Sequence, residues 1–256
     1  MSVRKTGEEN PLKELARYGQ SPWLDFIQRS YTENGSLKKL VEEDGLKGVT
    51  SNPAIFQKAM GQGTDYDAQI HSVLEHQVLD AGALYELLAI DDIRAAAKVL
   101  YPVYEQTKGV DGYVSLEVSP YLARNTESTL HEALRLWKAV DARNLMIKIP
   151  GTEEGVPAVR AAIAAGLNVN VTLLFSNEAY KKVLEAYITG LEDRLGRGES
   201  VAGIASVASF FVSRIDVKID KEIDRRVAAG DKDAARLKAL RGKVAIANAK
   251  MAYEYW

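Results

Sequence analysis

The residue in this chain best suited to chemistry is a lysine inside an apolar segment. Lys148 lies in the stretch NLMIKIP at residues 144–150, a pattern typical of a short buried strand. Strands covered on both faces are nearly continuous apolar runs, and lysine is rarely fully buried. Burial favours the neutral amine, which attacks a carbonyl carbon to form a Schiff base. For one isolated lysine, the commoner alternative is a strand-end residue whose amine reaches water along its apolar stem.

Polar residues recur near the ends of the other apolar segments. Side chains alternate along a strand, so Lys148 shares a face with Met146 and Pro150, and Asn170 shares one with Thr172. The polar residues are Asp25, Asn52, Glu117, Asn168, Asn170, Thr172, Ser209 and Arg214. Each one alone is typical of a turn or of a satisfied core position. Because six segments show the same bias, we expect these residues to form one site in which a lysine and two carboxyls supply nucleophile, acid and base.

Short apolar strands that alternate with amphipathic helices must position these residues. The pattern predicts strands at residues 23–27, 45–51, 112–118, 145–149, 169–175 and 204–212. It predicts helices at residues 36–43, 65–79, 91–107, 126–140, 153–165, 177–195, 216–229 and 231–256. Such alternation indicates an α/β fold with a parallel sheet, either doubly wound or an incomplete eight-stranded barrel. No strand is followed by a dinucleotide fingerprint or a P-loop, and GTEEG at residues 151–155 is typical of a turn that starts a helix.

Composition excludes several classes of function. The 256 residues are 46% hydrophobic and 27% charged with a net charge of −2, which gives no general attraction to nucleic acid or membranes. The absence of cysteine excludes thiolate catalysis and zinc–thiolate sites. His71, His76 and His131 fall in predicted helices without ligand spacing, so we expect no metal site. Residues 1–7 lack the apolar core of a secretory signal, and no apolar run is long enough to span a membrane, so we expect a cytoplasmic protein.

Six stretches of the chain, taken in order, resemble the transaldolase family, specifically its longer bacterial type, which sometimes occurs fused to glucose-6-phosphate isomerase. The stretches are LD (24–25), GVTSNP (48–53), SLEV (115–118), MIKIP (146–150), NVTLLFS (170–176) and SFFVSR (209–214). The resemblance implies a (β/α)8 barrel of the TIM type. It also implies an aldol transfer through a lysine Schiff base, with no metal and no other cofactor.

The resemblance assigns a role to each matching residue. Lys148 is similar to the Schiff-base lysine, and Asp25 to the group that takes the C4 hydroxyl proton. Glu117 is similar to a group acting through a water that Thr172 positions. The substrate-binding residues implied are Asn52 and Asn170 for the dihydroxyacetone hydroxyls, Ser209, Arg214 for the phosphate, and Phe211 as an aromatic wall. An arginine suits this task because its planar fork matches phosphate oxygens.

The family pattern continues for two strands beyond the six in this chain. We therefore expect residues 1–256 to be a single barrel domain truncated at its C-terminus, with a helical insert at residues 61–107 that serves packing. Sugar phosphates are the expected partners, and a homo-oligomer or a fused isomerase is compatible with the sequence. Two alternatives remain open at this stage: a class I aldolase that releases dihydroxyacetone, and a catalytically silent fragment that serves as an interaction module.

Overall fold

A computed structural model of the chain describes residues 10–255. It contains all six predicted strands: β1 (Trp23–Asp25), β2 (Gly48–Thr50), β3 (Tyr113–Glu117), β4 (Leu145–Pro150), β5 (Val169–Leu174) and β6 (Ser206–Phe210). The strand pairs β1–β2, β2–β3 and β5–β6 are parallel. Parallel strands that alternate with helices confirm the predicted α/β class. Residues 1–9 and Trp256 lie outside the described residues. They include the segment at residues 1–7 that lacks a secretory signal and the last residue of the helix predicted for residues 231–256.

Twelve α-helices occur in the described residues. They are α1 (Pro11–Glu14), α2 (Arg29–Glu33), α3 (Ser36–Asp44), α4 (Pro53–Gly61), α5 (Asp67–His76), α6 (Ala81–Gln106), α7 (Thr126–Val140), α8 (Gly155–Ala164), α9 (Asn177–Gly196), α10 (Ser213–Ala228), α11 (Ala234–Leu240) and α12 (Val244–Tyr253). α7 has the predicted bounds, and five more helices agree with theirs within a few residues: α3, α5, α8, α9 and α10. The short helices α1, α2 and α4 were not predicted.

Three of the departures from the predicted boundaries have an identifiable structural reason. The strand predicted from residue 45 begins at Gly48, because Gly45 ends α3 in the left-handed conformation (φ 71°). α6 begins ten residues before the predicted start, where Asp80 Oδ1 accepts a hydrogen bond from Ala83 N–H at 2.8 Å. The helix predicted for residues 231–256 is interrupted near Gly242 (φ 66°), whose N–H donates to Asp220 Oδ1 at 3.1 Å.

The chain forms two compact units. Among the described residues, the first comprises residues 10–119 and 132–147, and the second comprises residues 120–131 and 148–255, so β4 begins in the first and ends in the second. Strand order is β1-β2-β3-β4 in the first unit and β4-β5-β6 in the second. The single domain predicted for residues 1–256 stays a prediction.

In the first unit, Gly48 allows β1 and β2 to pair closely. Gly48 lies in register with Trp23 on one side and Tyr113 on the other. A Cβ atom at residue 48 would lie 2.3 Å from the Trp23 ring, so no larger residue fits. The pairing aligns the C-terminal ends of β1, β2 and β3, where three of the predicted site residues lie.

The predicted insert at residues 61–107 is mostly helical and packs within the first unit. The buried face of α6, which includes Ile93 and Leu100, packs on β3. Tyr66 and Leu88 form a second small core with Ala59 of α4. Burial of this kind accords with the packing role expected for the segment.

Candidate active site

Lys148 is buried in the middle of the most deeply covered strand. All six residues of β4 are buried, and Lys148 itself is only 6% exposed. A lysine whose amine extends into bulk water retains much more exposed surface than this. The structure therefore favours the buried lysine over the strand-end alternative.

The register of β4 and β5 brings Asn170 beside Lys148. Gly151 N–H donates to Thr172 O at 2.8 Å. In a regular parallel ladder this bond sets Pro150 beside Thr172 and, two residues earlier, Lys148 beside Asn170. Neighbouring residues in register lie on the same face of a sheet, and Asn170 and Thr172 are buried. The predicted nucleophile and two of its predicted helpers thus lie on one face.

β6 contributes Ser209 to the same group. Ser209 Oγ donates a hydrogen bond to Asn170 Oδ1 at 2.8 Å. This bond holds the Asn170 amide in one orientation, with its oxygen toward β6. A fixed amide is suited to recognising a specific substrate hydroxyl, because no rotation is needed when the ligand arrives.

An extra residue in β5 interrupts its pairing with β6. Val171 lies in register with Ala208 and Leu174 with Phe210, so Thr172 and Leu173 both lie opposite Ser209 alone. Leu173 has a left-handed backbone (φ 61°), which costs about 1–3 kcal/mol for a residue other than glycine. The alternation that puts Asn170 and Thr172 on one face therefore ends after Thr172, and no glycine in the segment indicates the bulge.

Arg214 lies against an aromatic pair near the start of α10. The rings of Phe175 and Phe211 stack with centroids 5.0 Å apart, and the Arg214 guanidinium carbon lies 4.5 Å from the Phe211 centroid. Arg214 is exposed, and no carboxylate among the described residues forms an ion pair with it. A guanidinium held by a ring contact and open to solvent can bind a phosphate group.

The first unit carries Asp25, Asn52 and Glu117 at the ends of three neighbouring strands. Asp25 ends β1 and is exposed, and Glu117 ends β3 and is partly buried. Asn52 caps α4, where its Oδ1 accepts a hydrogen bond from Ile55 N–H at 3.0 Å. Because the side-chain oxygen serves as a helix cap, the Asn52 amide would offer its Nδ2 hydrogens to a substrate.

Tyr85 is a neighbour of Glu117 that sequence reasoning missed. Burial and, to a smaller extent, the Glu117 carboxylate raise the pKa of Tyr85 to about 12. The phenol therefore stays protonated and can donate a hydrogen bond throughout the neutral range. Tyr85 lies in the apolar stretch of α6, and nothing in the sequence indicated that it would lie near Glu117.

A buried ion-pair cluster in the first unit was also missed. Arg29 Nε donates to Asp92 Oδ1 at 2.9 Å, and the Tyr66 hydroxyl donates to Asp92 Oδ2 at 2.7 Å. The Arg29 guanidinium also lies 4.4 Å from the Tyr66 ring centroid. Burial raises the pKa of Asp92, although the bonds from Tyr66 and Arg29 oppose this change. The signal available in the sequence was an aspartate on the apolar face of α6.

Two features are absent from the described residues, a metal-binding cluster and a membrane-spanning helix. They contain no group of three or more His, Cys, Asp or Glu side chains arranged to hold a metal ion. No helix in this part of the chain has the length and apolarity needed to cross a bilayer.

Comparison with known proteins identifies the family. The family model for transaldolase/fructose-6-phosphate aldolase matches residues 22–256. A transaldolase from Trichodesmium erythraeum is 50% identical over 249 residues, which are 96% of this chain and 65% of that protein. A transaldolase from Mycobacterium tuberculosis is 47% identical over 246 residues, which are 96% of this chain and 64% of that protein.

The chain therefore spans slightly less than two thirds of the length of these curated relatives. Among solved structures, a putative fructose-1,6-bisphosphate aldolase from Coccidioides immitis aligns over 95% of this chain and 92% of its own. Its sequence identity of 16% and TM-score of 0.31 are too low to support an argument. The match of the family model, by contrast, covers nearly the whole chain and confirms the resemblance and the (β/α)8-type fold class that it implies, with six strands present in the described residues. This chain belongs to the transaldolase/fructose-6-phosphate aldolase family.

Proposed function

We propose that this chain carries out transaldolase chemistry, the transfer of a dihydroxyacetone unit from a ketose phosphate to an aldose phosphate. Fructose 6-phosphate and sedoheptulose 7-phosphate are the donors that the family resemblance suggests, in the pentose phosphate pathway. The observation that carries the proposal is the buried Lys148 in β4, beside Asn170 of β5. A buried amine on a strand face that also carries hydrogen-bonding groups is suited to attack on a ketone.

The first steps form a Schiff base. The Lys148 amine adds to the ketose carbonyl to give a carbinolamine, which loses water to give an iminium ion. Glu117 is proposed to move the protons of this dehydration through a water that Thr172 positions. The protonated Glu117 carboxyl gives its proton through this water to the leaving hydroxyl. Water then departs as the carbon–nitrogen double bond forms, and the Glu117 carboxylate balances the positive charge of the iminium ion.

Cleavage and transfer follow from the iminium ion. Asp25 takes the proton of the C4 hydroxyl, the bond between C3 and C4 breaks, and an aldose phosphate leaves. The electron pair of the broken bond is held in an enamine on Lys148. The enamine then attacks the aldehyde of an acceptor aldose phosphate, and hydrolysis of the new iminium ion releases the product ketose.

Binding of the substrate uses the remaining residues. Asn52 and Asn170 are proposed to hold the hydroxyls of the dihydroxyacetone unit, and Ser209 holds the Asn170 amide in place. Arg214, supported by the Phe211 ring, is proposed to bind the phosphate group. A guanidinium that is exposed before binding can meet a charged ligand without first breaking an ion pair.

Intact mass measurement after incubation with fructose 6-phosphate and borohydride tests the proposal. Borohydride reduces the iminium ion, so a stable adduct of one dihydroxyacetone unit should form and map to Lys148. The Lys148→Ala variant should form none, and a Lys182→Ala variant, which alters a surface lysine, should label like the parent chain. A folded sample with no adduct, or an adduct that persists in Lys148→Ala, would refute the proposal.

A second candidate is an aldolase that releases free dihydroxyacetone. The matched family model includes fructose-6-phosphate aldolases as well as transaldolases, which is the observation in its favour. Release of dihydroxyacetone without an aldose phosphate acceptor would support this candidate. Dependence of turnover on the acceptor would support transaldolase.

The chain covers only part of the length of its relatives, and this affects how the trapping result is interpreted. The chain covers about 65% of the length of these relatives. If it forms the adduct but shows no turnover, formation of the Schiff base needs less of the protein than the complete catalytic cycle does. We also propose a cytoplasmic location and leave a homo-oligomer or a fused glucose-6-phosphate isomerase as open arrangements. Size-exclusion chromatography with light scattering would test the oligomer.

A further inference from the structure

A cavity of about 470 Å³ in the first unit lies at the N-terminal ends of β3 and β4. Asn144, the buried residue before β4, lines it, and its Nδ2 atom donates hydrogen bonds to Ala97 O at 2.9 Å and to Gly112 O at 2.8 Å. Glu117 lies at the opposite end of β3, about 13 Å along the strand from Tyr113. In this unit, the residues of the proposed mechanism lie at or after the C-terminal ends of strands, so the cavity is separate from them.

Helices α6 and α7 form walls of this cavity, and hydrogen bonds hold them together. Arg94 of α6 lines the cavity and donates to the backbone carbonyls of Ala139 and Val140 at the end of α7. The Arg94 Nη1 atom also donates to Asp91 Oδ1 at 3.0 Å. Each nitrogen of the guanidinium thus has a partner, so Arg94 stabilises the wall. A cavity with walls fixed in this way is largely formed before a ligand arrives.

Two opposite charges on the wall have no partner. The side chains of Lys98 and Asp141 line the cavity and are exposed, and neither forms an ion pair or a hydrogen bond within residues 10–255. Arg143 adds another basic side chain. Besides the bonded Arg94, the wall therefore carries two basic side chains and one acidic side chain. These charges favour an anion whose other groups can donate hydrogen bonds to the Asp141 carboxylate.

Most of the remaining wall is apolar and includes the ring of Tyr101. The Tyr101 ring stacks on that of Tyr104, with centroids 5.9 Å apart and planes at 23°. This contact supports the ring, and Ala97, Val140 and Ala142 line the same cavity. An inorganic ion would leave this surface uncovered, whereas a carbon chain or a sugar ring would pack against it.

We propose that this cavity is a second ligand site, which binds a hydroxylated organic phosphate such as a sugar phosphate. Lys98 and Arg143 bind the phosphate group, and the Asp141 carboxylate accepts hydrogen bonds from hydroxyls. The Tyr101 ring packs against the carbon chain. The cavity volume lies within the range of about 300–1,000 Å³ that is usual for small-molecule sites. This site goes beyond the proposed function and does not depend on it, because its ligand forms no covalent bond.

Isothermal titration calorimetry with glucitol 6-phosphate tests the proposal. This probe has hydroxyls and a phosphate but no carbonyl, so it cannot form a Schiff base with Lys148. Arg214→Ala serves as the reference chain, because it removes the arginine proposed to bind the substrate phosphate. We expect Arg214→Ala to bind glucitol 6-phosphate with a Kd below about 1 mM and inorganic phosphate at least about tenfold more weakly. In that background, Lys98→Glu should weaken binding of glucitol 6-phosphate at least about tenfold.

Lys138→Glu, also made in the Arg214→Ala chain, is the matched control. Lys138 is exposed on α7 and does not line the cavity, so its substitution changes the charge equally without removing a ligand contact. Because water and salt screen exposed charges, affinity for glucitol 6-phosphate should change by less than about twofold.

Asp141→Asn tests the part of the proposal that concerns the hydroxyls. Asparagine adopts the left-handed backbone of residue 141 (φ 50°) readily, so the wall should keep its shape. A neutral amide accepts hydrogen bonds less strongly than a carboxylate and does not repel phosphate. The variant should therefore narrow the difference in affinity between glucitol 6-phosphate and inorganic phosphate.

Three results would overturn the proposal: no binding of glucitol 6-phosphate to Arg214→Ala with a Kd below about 1 mM, equal affinity for inorganic phosphate, or equal losses in Lys98→Glu and Lys138→Glu. The titration is independent of the trapping experiment. If the parent chain forms no borohydride adduct but Arg214→Ala binds with the expected pattern, the proposed function fails and the second site stands. If the adduct forms and Arg214→Ala binds no glucitol 6-phosphate, the proposed function stands and the second site is refuted.

Discussion

The two compact units differ in the side chains that surround a buried basic residue. In the first unit, Arg29 pairs with Asp92 at 2.9 Å and the Tyr66 hydroxyl binds the second carboxylate oxygen. In the second unit, strand register places the neutral amide of Asn170 beside Lys148, and Ser209 holds that amide. The pair of opposite charges in the first unit joins α6 to the start of α2, whereas the amide and hydroxyl on the strand face of Lys148 offer hydrogen bonds that a substrate hydroxyl can share. Burial alone therefore does not distinguish a structural charged residue from one that is proposed to be catalytic.

Removal of Asp92 should have the largest effect on stability. Asp92→Ala leaves the Arg29 guanidinium buried without its carboxylate, and we expect a loss of about 3–5 kcal/mol in the free energy of unfolding. Asp91→Ala is the matched control, because Asp91 pairs with Arg94 at 3.0 Å near the surface, and its loss should stay below about 1 kcal/mol. Urea denaturation measures both values, and equal losses would contradict the structural role of the cluster.

Replacement of Lys148 tests the corresponding buried residue of the second unit. Lys148→Met keeps the length and the apolar volume of the side chain, so we expect the free energy of unfolding to fall by less than it does in Asp92→Ala. Adduct formation should nevertheless be lost. A large destabilisation by Lys148→Met would mean that the lysine serves the fold as Arg29 does.

Loss of the Ser209 hydroxyl should have an intermediate effect. Ser209→Ala removes the hydrogen bond to Asn170, worth about 1 kcal/mol, and should raise KM for the ketose several-fold. Ser206→Ala is the control on the same strand, because its hydroxyl donates to the backbone carbonyl of Val169 at 3.0 Å. Steady-state kinetics should distinguish the two variants. An equal change in KM would indicate a general weakening of β6.

The smallest expected effect is the change of stability with pH, which should have opposite signs for Asp92 and Asp193. Burial raises the pKa of Asp92, whereas a hydrogen bond from Arg160 lowers that of the surface residue Asp193. A raised native pKa means that the folded state binds the proton more tightly, so the Asp92 contribution to stability improves as pH falls toward 3.8. The Asp193 contribution is present above 3.8 and is lost as pH falls through the lowered pKa.

Unfolding measurements between pH 7 and about 4 check the signs. Stability relative to Asp92→Asn should increase as the solution is acidified, and stability relative to Asp193→Asn should decrease. Slopes of the same sign would show that the two carboxylates do not differ in environment as the structure indicates.

Much of the candidate site was open to prediction because strand periodicity needs only local sequence. The position of Lys148 within an apolar strand and the shared face of Asn170 and Thr172 follow from alternation, and the structure agrees with both. The capping role of Asn52 was less accessible, because the helix that follows Pro53 was not predicted. The catalytic roles of these residues stay predictions until the trapping experiment is done.

The bulge and the Arg29–Asp92 pair could not be predicted in the same way. Leu173 carries no feature of its own that favours a left-handed backbone, and the hydrogen bonds on either side of it come from Gly151 and Phe211. Arg29 and Asp92 are 63 residues apart in the chain, so neither identifies the other as its partner. Both features arise from contacts between distant segments.

The sequence by itself determined the alternation of strands and helices, the family, and the order in which polar residues follow the strands. These properties depend on residue type and spacing, which are local. Tertiary structure alone decided that Leu174 leaves the face of Asn170 through a bulge, and that Ser209 holds the Asn170 amide. The physical reason is that strand register and buried hydrogen bonds depend on which segments meet, and many segments satisfy the same local pattern.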